Sequence, residues 1–134
     1  MIRRTLLVGR WDVSFLFAGQ HYDKDEILSE LFDLGASDYV IGRVEAVIDE
    51  DNLNTGFTYT NKDIMCALVV IGPTSSGSEF IDTLVHEVHH LAVAVADNLG
   101  IDLNSETPAY LAGDTARELA NTICALGCRH CRKM

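Results

Sequence analysis

The longest periodic stretch of this chain, residues 79–99, constrains its fold more than any other feature. Apolar residues recur there every three or four positions, which is typical of a helix with one buried face. They are Phe80, Ile81, Leu84, Val85, Val88, Leu91, Ala92 and Val95. Residues 74–78 can cap the start of the helix and Gly100 can end it, while the apolar run 64–71 just before it has the length of a buried strand. The chain therefore needs a sheet on which this helix can pack.

The rest of the sequence supplies strands and shorter helices for such a packing. Residues 5–18 predict two short strands or one bent strand, and residues 57–60 and 64–71 predict a β-hairpin around residues 61–63. Residues 23–34 and 37–48 predict two helices, and residues 105–126 predict a last one with Pro108 in its first turn. We expect one α+β domain over residues 1–134, with a small, mainly antiparallel sheet packed on helices.

Charge and hydropathy exclude two classes of partner. The 134 residues carry a formal net charge of −10 at pH 7, whereas nucleic-acid binding draws on clustered Lys and Arg. No apolar run approaches the roughly 18 residues of a membrane span, and Arg10 and Asp12 interrupt the N-terminal run that otherwise resembles a signal peptide. We expect no nucleic-acid partner, no membrane partner and a cytoplasmic protein.

The chemistry of the chain is concentrated in the segment His86-Glu87-Val88-His89-His90, inside the long helical pattern. His86 and His90 stand one helical turn apart, so both imidazoles can bind one tetrahedral zinc ion. Glu87 can then accept a proton from zinc-activated water as general base. Two unpaired imidazoles on a largely buried helix would be costly, which also favours a metal.

Zinc sites of this kind need a third protein ligand, and Glu106 is the candidate from the following helix. If that helix packs antiparallel, Glu106 and Tyr110 share one stripe that we expect to face the metal, with Tyr110 stabilising an oxyanion. Asp114 beside the stripe, and His89, are candidates for orienting the ligand imidazoles. Glu106 also has a simpler reading, as an acid that complements the dipole of its helix.

His86-Glu87-x-x-His90 followed by Glu106-x-x-Ala109-Tyr110 resembles the gluzincin metallopeptidases, especially the single-domain minigluzincins. The resemblance covers about residues 64–117. It implies a zincin-like fold with one zinc ion per chain, bound by the two histidines and the glutamate of the next helix. It also implies Glu87 as general base, a peptide or protein substrate, and an edge strand, here residues 64–71, that binds extended peptide. The chain has a short interval between His90 and Glu106 and lacks an obvious additional downstream His or Tyr, both departures from that family.

Two other functions and a second site stay open on the sequence. The chain can be a non-catalytic zinc-binding or regulatory protein, or a helical interaction protein in which the motif is accidental. Near the C-terminus, Cys124, Cys128 and Cys131 surround His130. This spacing suits a structural zinc site, and it equally suits a helix end whose first cysteine packs inward.

Overall fold

A computed structural model describes residues 1–18, 22–50 and 56–127 of the chain. The elements along the sequence are β1 (Ile2–Val8), β2 (Trp11–Phe17), α1 (Lys24–Asp33), α2 (Asp38–Asp49), β3 (Gly56–Asn61), β4 (Cys66–Ile71), α3 (Gly77–Asn98), α4 (Thr107–Glu118) and α5 (Ala120–Gly127). The expected α+β class is confirmed. Cys128, His130 and Cys131 lie outside the described residues. Across the three described ranges, no helix is both long enough and apolar enough to span a membrane.

The four strands form one mixed sheet in the order β1-β2-β4-β3. The outer pairs, β1 with β2 and β3 with β4, are antiparallel. The central pair is parallel, with Val13 opposite Ala67 and Phe17 opposite Ile71. A parallel pair needs a long crossover, which is supplied here by α1, α2 and β3. The expected mainly antiparallel sheet is therefore refined to a mixed sheet with a parallel centre.

Helices cover both faces of this sheet. One core lies under α3, where the inner side chains of β2 and β4 pack against Leu84, Val88 and Leu91. The second lies under α1 and α2, where Leu16 and Leu68 meet the buried side chains of α1. Because β4 is covered on both faces, its sequence is a continuous apolar run rather than an alternating pattern.

Helix α3 is framed by its caps and by the last two helices. Ser76 accepts a hydrogen bond from the main-chain N–H of Glu79, and Gly100 follows the helix with φ +71°. The backbone of Gly127, at the end of α5, packs closely on Gly77 at the start of α3. The chain from α4 to α5 therefore runs back along α3. The last helix expected over residues 105–126 is present, but it is interrupted at Leu119.

Candidate metal centre

His86 and His90 lie side by side on α3, where both are exposed. Their Nε2 atoms are 3.2 Å apart, and their rings meet nearly at right angles, at 79°. Two nitrogens bound to one tetrahedral zinc at roughly 2.05 Å stand about 3.3 Å apart. The structure joins the two imidazoles by a hydrogen bond, and the same separation is also compatible with two ligands of a single zinc ion.

The sequence suggested that His86 and His90, on a largely buried helix, would be costly without a metal. Both side chains are in fact exposed, which corrects that argument. The His86 side chain is 68% exposed. Water can therefore solvate the imidazoles, and leaving them without a metal costs no burial energy. The case for a metal rests on the arrangement of the two nitrogens, not on their burial.

Glu87 differs sharply from its two neighbouring histidines, because it is only 5% exposed. Its Oε1 lies 3.8 Å from Nε2 of His86, and its Oε2 accepts a hydrogen bond of 2.9 Å from the hydroxyl of Thr58 on β3. The same hydroxyl is 3.3 Å from the main-chain oxygen of Glu87. Thr58 therefore holds one carboxylate oxygen while the other stays beside the imidazole.

An open cavity of about 400 Å³ lies between β3 and α3. Its walls include Thr58 and Thr60 from the strand and Glu87, His90 and Ala94 from the helix. A carboxylate and an imidazole thus face the same space. Within the described residues β3 pairs only with β4, so its other edge borders this cavity with free backbone groups.

Glu106 lies away from the imidazole pair in the structure. It is exposed, it precedes α4 at the cap position, and its side chain makes no capping hydrogen bond. Helix α3 continues for eight residues after His90, to Asn98, before the chain turns back. At 1.5 Å per residue, α3 therefore extends about 12 Å beyond His90 before the connection that leads to Glu106. Consistently, residues 1–18, 22–50 and 56–127 contain no group of three His, Cys, Asp or Glu side chains that could hold a metal.

The other candidates on α4 occupy positions different from those expected. Tyr110 is 67% exposed, and a Cβ added to Gly113, about one turn further along α4, would meet only open space, so this face of α4 does not pack closely on α3. Asp114 pairs with Arg117 at 3.3 Å and lines a separate cavity against β1. His89 is exposed, with its ring 6.3 Å from the ring of His90.

Sequence reasoning overlooked Thr58, whose hydroxyl donates a hydrogen bond to the carboxylate of Glu87. A lone threonine in a short strand carries no signal of its own. Strand alternation does place Thr58 and Thr60 on the same face, opposite to Phe57 and Tyr59. This alternation identifies the polar face of the strand but not the helix that it meets.

Comparison with protein-family models finds no matching family, and comparison with curated proteins and with solved structures finds no significant match.

Proposed function

We propose that this domain is a zinc-dependent hydrolase, acting on a peptide bond, in which His86 and His90 bind one zinc ion per chain. The observation that carries the proposal is the 3.2 Å separation of the two Nε2 atoms, with the buried carboxylate of Glu87 beside them. When bound, zinc supplies a Lewis acid for the scissile carbonyl and acidifies the water it binds. Side chains four residues apart lie on the same face of a helix, so His86 and His90 can bind one ion.

Glu87 is the proposed general base. Oε2 is held by Thr58, and Oε1 lies on the side of the imidazoles, where a proton from water would be accepted. Burial between α3 and β3 restricts the carboxylate to this orientation. Positioning of this kind is what general-base catalysis requires, and such a base contributes typically 10²–10⁴-fold in rate.

The resemblance to gluzincins suggests an edge strand as the place where a peptide binds. The sequence assigned the role of this peptide-binding edge strand to residues 64–71. These residues contain β4, which pairs with β2 on one side and with β3 on the other. That assignment is wrong, because a strand with both neighbours in place has no free backbone groups. The proposed peptide site is instead the free edge of β3, which borders the cavity with Glu87 and His90.

A catalytic zinc site of this kind needs a third protein ligand besides the two histidines. Glu106 stays a prediction from the sequence that the positions of the described residues do not support. This favours a second candidate function, in which the two histidines form a zinc-binding module that acts through protein contacts without catalysis. The two functions share the metal and differ in the role of Glu87.

Zinc analysis combined with a protease assay tests both candidates. Purified protein is analysed for zinc by elemental analysis and assayed against casein, beside a Glu87→Gln variant that keeps the size of the side chain. Hydrolysis in the wild type that Glu87→Gln abolishes, with zinc retained in both, supports the enzyme. Zinc without hydrolysis in either protein supports the binding module, and absence of zinc rejects both.

A further inference from the structure

A second groove lies on the opposite face of the same edge strand. It has a volume of about 470 Å³ and runs between β3 and α2. Its walls are formed by Tyr39, Arg43, Val44 and Val47 from the helix and by Phe57 and Tyr59 from the strand. The groove shares residues 56–58 with the cavity at Glu87, so both open at the free edge of β3.

Side chains of β3 alternate between these two spaces. Thr58 points toward α3, where it contacts Glu87. Phe57 and Tyr59 point the other way and pack against the core under α1 and α2. An added strand would follow the same period of two, because successive side chains of any extended peptide point to opposite faces of the sheet.

We propose that the groove between α2 and β3 is a specificity site for the peptide that lies along β3, an inference that rests on the proposed function. A peptide paired with the free edge places every second side chain near Glu87 and His90. The side chains between them enter the groove on the α2 face. The groove therefore selects residues at alternate positions of the substrate.

The lining of the groove defines which residues it takes. Val44, Val47 and Phe57 are half-buried apolar walls, which favour an aliphatic or aromatic side chain. Arg43 is exposed and stacks over the ring of Tyr39, 5.9 Å from the ring centroid. A cation over an aromatic ring is held by a favourable electrostatic interaction, so the Arg43 guanidinium is engaged with Tyr39.

The test uses zinc-loaded Glu87→Gln protein, which retains peptides without cleaving them. The probe is a library of acetylated and amidated heptapeptides with every position randomised, and the retained peptides are sequenced. We expect aliphatic and aromatic residues to be enriched at alternate positions, by about tenfold for a side chain that contributes about 1.4 kcal/mol. Val44→Lys places a charge in the groove and should abolish this enrichment. Ala46→Lys places the same charge on the exposed side of the same helix and should leave it unchanged.

The outcomes separate this inference from the proposed function. Enrichment of apolar residues without alternation overturns the specificity site. Alternation that survives in Val44→Lys also overturns it, provided that circular dichroism shows the variant to be folded. If the wild type holds zinc and cleaves casein while the library shows no alternation, only the specificity site fails. If zinc and hydrolysis are absent but alternation is present and sensitive to Val44→Lys, the groove stands as a peptide-docking site and the hydrolase fails.

Discussion

The hydroxyl of Thr58 lies 2.9 Å from a carboxylate oxygen of Glu87, across the space between the edge strand β3 and the helix α3. This contact connects the strand that would carry a peptide to the group that would accept a proton. It also gives a buried carboxylate the hydrogen-bonding partner it needs. The strand that positions the proposed base is thus also the strand proposed to bind the substrate.

Replacing Thr58 by valine keeps the volume of the side chain and removes the hydroxyl. A hydrogen bond to a charged group is worth about 1.5–3 kcal/mol, so kcat should fall by about 10- to 100-fold. KM should change little, because the substrate is not contacted through this hydroxyl. Steady-state kinetics of Thr58→Val and Thr58→Ser test this. Thr58→Ser should recover most of kcat, and equal loss in both variants would contradict the positioning role.

Glu87→Gln should retain zinc and lose hydrolysis, because the amide cannot accept a proton while the imidazoles are untouched. We expect kcat to fall by at least about 10²-fold, the lower end of what a general base contributes. Elemental analysis and a casein assay on the same preparations measure both quantities. Unchanged activity in Glu87→Gln would exclude this residue as the base.

Replacing His86 or His90 should lower the amount of bound zinc per chain, whereas replacing the neighbouring His89 should not. His86→Ala and His90→Ala each remove one of two nitrogens 3.2 Å apart and should lower bound zinc well below one per chain. His89→Ala is the matched control, since it removes an exposed histidine from the same helix. Glu106→Ala should keep its zinc, because Glu106 forms no metal-binding group with the two histidines among the described residues. Loss of zinc in Glu106→Ala would restore this residue as the third ligand.

The ion pairs between Arg3 and Glu30 predict a pH dependence of stability. Hydrogen bonds from the Arg3 guanidinium lower the pKa of Glu30, and partial burial opposes the shift. A carboxylate whose pKa is lowered by folding adds stability above its unfolded pKa, about 4.3, and loses it as the pH falls through the lower folded value. The urea midpoint of the wild type should therefore exceed that of Glu30→Gln at pH 7, and the difference should shrink below about pH 4. A constant difference down to pH 2 would contradict this assignment.

Leu91 should be important for stability, since it is fully buried where α3 meets the sheet. Leu91→Ala should lower the free energy of unfolding by about 2–5 kcal/mol. Val85→Ala on the same helix, at a side chain 62% exposed, should change it by about 0.5 kcal/mol or less. Urea denaturation measures both, and similar losses in the two variants would show that this face of α3 is not the core.

Local patterns in the sequence were sufficient to predict most elements. The long helix expected over residues 79–99 is α3, Gly77–Asn98, and the helix expected over residues 37–48 is α2, Asp38–Asp49. Spacing within a helix also allowed the approach of His86 and His90 to be predicted, because it depends only on residues one turn apart.

What could not be predicted depends on contacts between distant segments. The parallel pairing of β2 with β4 follows from a crossover that no local pattern encodes. The position of Glu106 depends on how far α3 extends beyond His90. The angular spacing of residues predicts which face of a helix they share, but it does not predict this length.

The crossover at the centre of the sheet also determines when this chain can fold. β1 and β2 form an antiparallel pair as soon as both have left the ribosome, but β2 must wait for β4, beyond two helices and a strand. Until then one side of β2, among the most apolar strands of the chain, stays unpaired. Closing such a distant pair is slow compared with forming helices and hairpins. We therefore expect the completion of the sheet to limit the refolding rate, and nascent chains that end before β4 to be the most prone to aggregate.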